Sequence, residues 1–146
     1  MSMDAARDLY RRFLLELWHA PAERLPALAT EVVAPDFVRH RGGAPDQHGP
    51  AAIVTLIEQS TALFDDVAVT IDQGPVADGD LVAARWIFAG AYRGGIPGAT
   101  APVGTRVAFS GMDLVRLANG KVAEYWVSSD GDHLMAQLGV DGKAGS

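Results

Sequence analysis

Cysteine is absent from all 146 residues. That excludes disulfides, thiol nucleophiles, iron–sulfur clusters and cysteine-built zinc sites, and it fits an intracellular location. Positive charge is scarce. Twelve Lys and Arg face eighteen Asp and Glu, for a net −6. No basic stripe is visible, so no nucleic-acid partner is expected. Long apolar runs are missing too: none approaches the ~20 residues of a membrane span. The segment from Met1 to Arg12 is charged where a secretory signal would be apolar. A soluble, cytoplasmic protein without a membrane partner is the expectation. The four histidines, His19, His40, His48 and His133, show no close metal spacing, and no metal is expected.

What remains is enough for one domain spanning residues 1–146, with 141–146 as a frayed tail. Residues 4–20 read as an amphipathic helix. Leu9, Phe13 and Leu17 recur at i+4, as do Tyr10, Leu14 and Trp18. A second helix is expected over 23–33, with Pro26 in its first turn. A short strand over 37–40 and a polar loop over 41–49 follow. A third helix is expected over 50–64. From Val67 the apolar period becomes two. Strands are expected over 67–72, 81–93, 107–117 and 122–129, and a last helical turn over 132–138. In the long strand, Val82, Ala84, Trp86, Phe88, Gly90 and Tyr92 share one face. Helices first and hairpins after predict an α+β domain with helices on one face of an antiparallel sheet.

Asn119-Gly120 between two alternating runs is a strong hairpin signal. With these two as the turn, Ala118 faces Lys121. An unbroken ladder then sets Asp113 opposite Trp126, Gly111 opposite Ser128 and Phe109 opposite Asp130. All six would share one face, an aromatic surface carrying two carboxylates too far apart to share a proton. A one-residue bulge would break this assignment. Tyr125 and Val127 fall on the opposite face, where a partner chain or the helices would cover them. Each candidate also has a plainer reading. Asp130 suits the cap of a following helix. Asp113 stands in a strand, where aspartate is depleted, and suits an ion pair. A lone His40 is more often structural than catalytic. Trp18, Trp86, Phe88, Phe109 and Trp126 become a ligand wall only if the sheet curls around a void.

The chain resembles the SnoaL-like polyketide cyclases of the nuclear-transport-factor-2-like superfamily. The matching residues are Ala34 to His40, Gly49, Phe64-Asp65-Asp66, Ala77 to Trp86, Gly90 to Gly94, Val103-Gly104, Phe109-Ser110-Gly111 and Arg116. Asn119 to Trp126, Asp130 and Gln137-Leu138-Gly139 complete the series. The resemblance implies a cone-shaped α+β barrel, in which a curved antiparallel sheet and three N-terminal helices enclose a pocket. It also implies ring closure in a small hydrophobic polyketide-type substrate by intramolecular aldol chemistry, without a cofactor, and a homodimer. By motif Asp130 is the general acid and base, and His40 matches the family's histidine. Tyr92 replaces another family histidine and is expected to donate to an enolate oxygen. Trp18, Trp86, Phe88, Phe109, Asp113, Trp126 and Ser128 are expected to contact substrate. The alternatives are a cyclase that acts mainly by folding its substrate, as in a cycloaddition, an epoxide hydrolase or isomerase, and a binding module without catalysis.

Overall fold

The computed structural model describes residues 1–140; the frayed tail expected at 141–146 lies outside them. The first helical segment runs as α1 (Met3–Arg11), a π-helical stretch (Arg12–Glu16) and α2 (Leu17–His19). Ser2 caps it by accepting from the backbone N–H of Ala5. The wider π turn lets Tyr10, Phe13, Leu14 and Leu17 all reach the core. Next come α3 (Leu25–Val32), β1 (Val33–Arg39), the two-residue β2 (Gln47–His48) and α4 (Pro50–Thr61). The rest is β3 (Phe64–Asp78), β4 (Leu81–Tyr92), β5 (Arg106–Ala118), β6 (Lys121–Ser129) and α5 (Gly131–Gln137).

The class is α+β, as expected. The sheet order is β2-β1-β6-β5-β4-β3. Register shifts in β1, β3 and β6 bend the strands, and the open sheet curves around the helices. The sheet is mixed, not purely antiparallel, because β1 pairs with β6 in parallel. Most of the chain separates those two strands, so no hairpin dictates their relative direction. In β4 the even-numbered residues Val82, Ala84, Trp86, Phe88, Gly90 and Tyr92 are buried, as the alternation predicts.

The last hairpin departs from the unbroken ladder. Asn119 and Gly120 both take positive φ, 53° and 75°, as a primed turn requires. Ala118 pairs with Lys121 and Leu117 with Val122, but Arg116 then pairs with Glu124. Val122 and Ala123 together oppose Leu117, and both are buried. This one-residue bulge sets every later residue of β6 on the face opposite to the expected one. Asp113 lies opposite Val127 and Gly111 opposite Ser129. Tyr125, Val127 and Ser129 therefore look inward, while Glu124, Trp126 and Ser128 look outward. The expected inner set of Trp126, Ser128 and Asp130 is corrected accordingly.

Candidate functional site

A cavity of about 250 Å³ lies between the hollow of the sheet and the helices. Leu14 and Trp18 reach it from the first helical segment, and Leu56 and Ser60 from α4. Trp86 and Phe88 come from β4, Phe109 from β5, and Tyr125, Val127 and Ser129 from β6. Leu134 and Met135 of α5 close one side. Among the described lining residues the only ionisable groups are Arg39 and the phenol of Tyr125; none is a carboxylate. The aromatic rings lock each other. Trp86 meets Phe109 edge-on at 5.7 Å, Trp18 meets Phe88 edge-on at 6.1 Å, and Phe88 lies 5.1 Å from Phe109.

Below this wall sits Asp113, 2% exposed. One carboxylate oxygen accepts from the indole N–H of Trp86 at 2.9 Å, and the other from the Tyr10 hydroxyl at 2.8 Å. The Tyr125 hydroxyl faces the same carboxylate. Burial pushes Asp113 up to about 6, against the pull of these donors. Burial and the neighbouring carboxylate push Tyr10 and Tyr125 upward as well. Tyr125 therefore keeps its proton and acts as a donor. Gly111 makes the arrangement possible. It pairs with Trp86 across the ladder, and a β-carbon there would stand 2.2 Å from Cζ2 of that indole.

The structure divides the residues singled out in the sequence. Trp18, Trp86, Phe88 and Phe109 come together on the cavity wall. Asp113 lies behind Trp86 as an anchor and is absent from the lining. Tyr92 is buried, and its hydroxyl accepts from the backbone N–H of Ile96 at 2.9 Å, bracing the loop beside the cavity. Trp126, Ser128 and His40 are on the outer face. There His40 stacks on Trp126 with centroids 4.7 Å apart, and its Nε2 lies 2.7 Å from Glu124. Its Nδ1 is 3.2 Å from Asp46, and Glu124 also binds Arg116 at 2.5 Å. The bond to Glu124 and the charge of Asp46 raise His40, while His40 and Arg116 lower Glu124. Asp130 is exposed, and it caps α5 by accepting from the N–H of His133 at 3.1 Å. It follows Ser129 in the chain but is not on the wall.

Arg39, Tyr125, Val127 and Ser129 were missed. Arg39 follows Phe37 by two residues, so strand alternation alone turns it inward. The β6 residues were missed because of the bulge. Among the described residues, no three metal-ligating side chains converge, and no helix is long and apolar enough to cross a membrane.

These features agree with comparisons to known proteins. IdmH of Streptomyces antibioticus, a candidate polyketide cyclase, is 27% identical at a TM-score of 0.75, over 92% of this chain and 99% of that one. AclR of Streptomyces galilaeus, a candidate hydroxylase, is 25% identical at a TM-score of 0.74, over 94% and 98%. A candidate SnoaL-like polyketide cyclase of Jannaschia sp. CCS1 shares the fold at a TM-score of 0.79 and 20% identity, over 94% and 93%. No curated protein sequence matches. A family model described as SnoaL-like polyketide cyclase matches residues 8–138, and the chain belongs to that family.

Proposed function

We propose that this protein closes a ring in a small, mostly apolar polyketide-type molecule by holding it folded inside the cavity. The observation that carries this reading is the wall itself: interlocked aromatic and aliphatic side chains, with the polar groups of Arg39, Tyr125, Ser60 and Ser129 among them. A flexible chain loses most of its conformers in such a space. Bringing reacting carbons together in this way contributes up to ~7–11 kcal/mol when alignment is ideal. The reaction exchanges bonds within one molecule, so its balance needs no oxidant or second substrate. The wall hydroxyls of Ser60 and Ser129 are the donors for a carbonyl oxygen that gains charge as the ring closes.

A second reading keeps Asp130 as general acid and base for an aldol closure. Its support is the family motif and the position of Asp130 directly after Ser129, a wall residue. Asp130→Asn separates the two readings, because asparagine still caps a helix. Under substrate folding the variant retains most of its turnover in a cyclisation assay followed by mass spectrometry. A fall of two or more orders of magnitude establishes proton transfer by Asp130 instead. A homodimer through the outer face of the sheet, where Met112 is 57% exposed, belongs to the same reading. Sedimentation of a monomer at working concentration would remove it.

A further inference from the structure

Arg39 is the one charged residue on the cavity wall among the described residues, and its charge has no counter-ion. No carboxylate of the described residues lies within salt-bridge distance of it, although eight other basic or imidazole side chains pair with carboxylates elsewhere. Its Nη1 donates to the side-chain oxygen of Gln47 at 2.7 Å. That partner is neutral where an acid would have cancelled the charge. Nε is fully buried and has no hydrogen-bond partner. Burial lowers the guanidinium from its ordinary value, and the nearby charge of Arg41 adds to that. A half-buried cation with one buried N–H left unpaired is costly unless something completes it.

The geometry says what completes it. Gln47 holds one corner of the planar fork and so fixes its orientation. Nη2 makes no hydrogen bond to the described residues and is not buried, so it is the donor left for an anionic oxygen. The rest of the wall is apolar. We infer that the ligand of this cavity is a free carboxylic acid, with its carboxylate paired with the Arg39 guanidinium through Nη2 and its hydrocarbon body against the aromatic wall. This rests on the cavity being the substrate site and names the substrate class. It also places the step in a sequence of reactions. A chain still joined to a carrier as a thioester has no carboxylate to offer. A hydrolysis must come first, in which water cleaves the thioester C–S bond to give the carboxylate, a thiol and a proton. Ring closure in this protein then acts on the released acid.

The test is a matched pair of cavity-sized probes, 2-naphthoate and 2-naphthamide, titrated at pH 7 and followed by quenching of the wall tryptophans. The wild-type protein is expected to bind the acid at least tenfold more tightly than the amide. Arg39→Met is expected to bring the two within twofold, with the amide affinity little changed, and Arg39→Lys to restore part of the preference. Equal affinities in the wild type overturn the inference and leave the cavity reading intact. A preference that survives Arg39→Met also overturns it. Failure of both probes to bind overturns the inference together with the cavity reading. The wild-type comparison stands even if a variant fails to fold.

Discussion

The two faces of the β5–β6 hairpin each carry a carboxylate beside an aromatic ring, yet they have opposite characters. On the inner face Asp113 is sealed from water and held by neutral donors, Tyr10 and Trp86. On the outer face Glu124 keeps about a quarter of its side-chain exposure and sits between two basic partners, His40 and Arg116. Burial dominates at Asp113 and raises its proton affinity. Charge and hydrogen bonding dominate at Glu124 and lower it. The outer cluster offers more formal ion pairs and contributes less, since solvent screens exposed pairs. The inner cluster has none and fixes the position of a wall residue.

That contrast can be broken most severely at Asp113. Asp113→Leu strands two buried donors, each costing about 1–3 kcal/mol, and urea unfolding should show the sum as a lowered midpoint. Asp113→Asn should lose far less, because its amide accepts from the indole and donates to Tyr10. A leucine variant as stable as wild type would refute the anchor. Next in size, Gly111→Ala drives a methyl group into the Trp86 ring and should cost about 1–3 kcal/mol as overpacking does. Near-ultraviolet circular dichroism should change with it. Glu124→Gln on the outer face should stay within about 1 kcal/mol of wild type; a loss matching that of Asp113→Leu would erase the distinction drawn here.

The finest test is the sign of the pH dependence. Asp113 is raised from 3.8 to about 6 in the fold. Its contribution is therefore full below 3.8 and is lost as pH rises through about 6, a slope that Asp113→Asn should flatten. His40 is also raised, from 6.5. Its contribution is full below 6.5 and lost as pH rises through its higher folded value. Glu124 runs the other way: lowered from 4.5, it contributes above 4.5 and loses that as pH falls through its folded value. Chemical denaturation across pH 3–8 in wild type, Asp113→Asn and His40→Gln separates these windows.

Much of this was legible in the sequence. The two periods located the helices and most strands to within a few residues, but β3 runs to Asp78 where the alternation ended at 72, and β2 fell inside the expected loop; β4 showed its inner face by alternation alone. The bulge was not read, although Glu124 announced it. Any unbroken strand that turns Trp126 inward turns Glu124 inward with it, and an unpaired buried carboxylate is expensive. Val122-Ala123, two adjacent apolar residues, is where the strand absorbs the conflict. Asp113 stood out as an aspartate within a strand, but its partner Tyr10 is 103 positions away, and nothing local points to it. Arg39 was hidden in plain view beside His40, the residue that the family motif emphasised.

The Gln137 of the closing Gln-Leu-Gly motif does something of wider use to the protein. Its amide oxygen accepts from the N–H of Ala108 at 3.1 Å, and its amide nitrogen donates to the carbonyl of the same residue at 2.8 Å. The preceding rung on that side is the N–H of Asp130 on Ser110, where β6 departs. A side chain thus stands in for one more peptide unit and continues the ladder past the end of its strand. Bare rungs at such a place would invite a stray strand to join and chains to clump. A single amide serves both as latch for the wall-forming helix and as a guard on the sheet's margin.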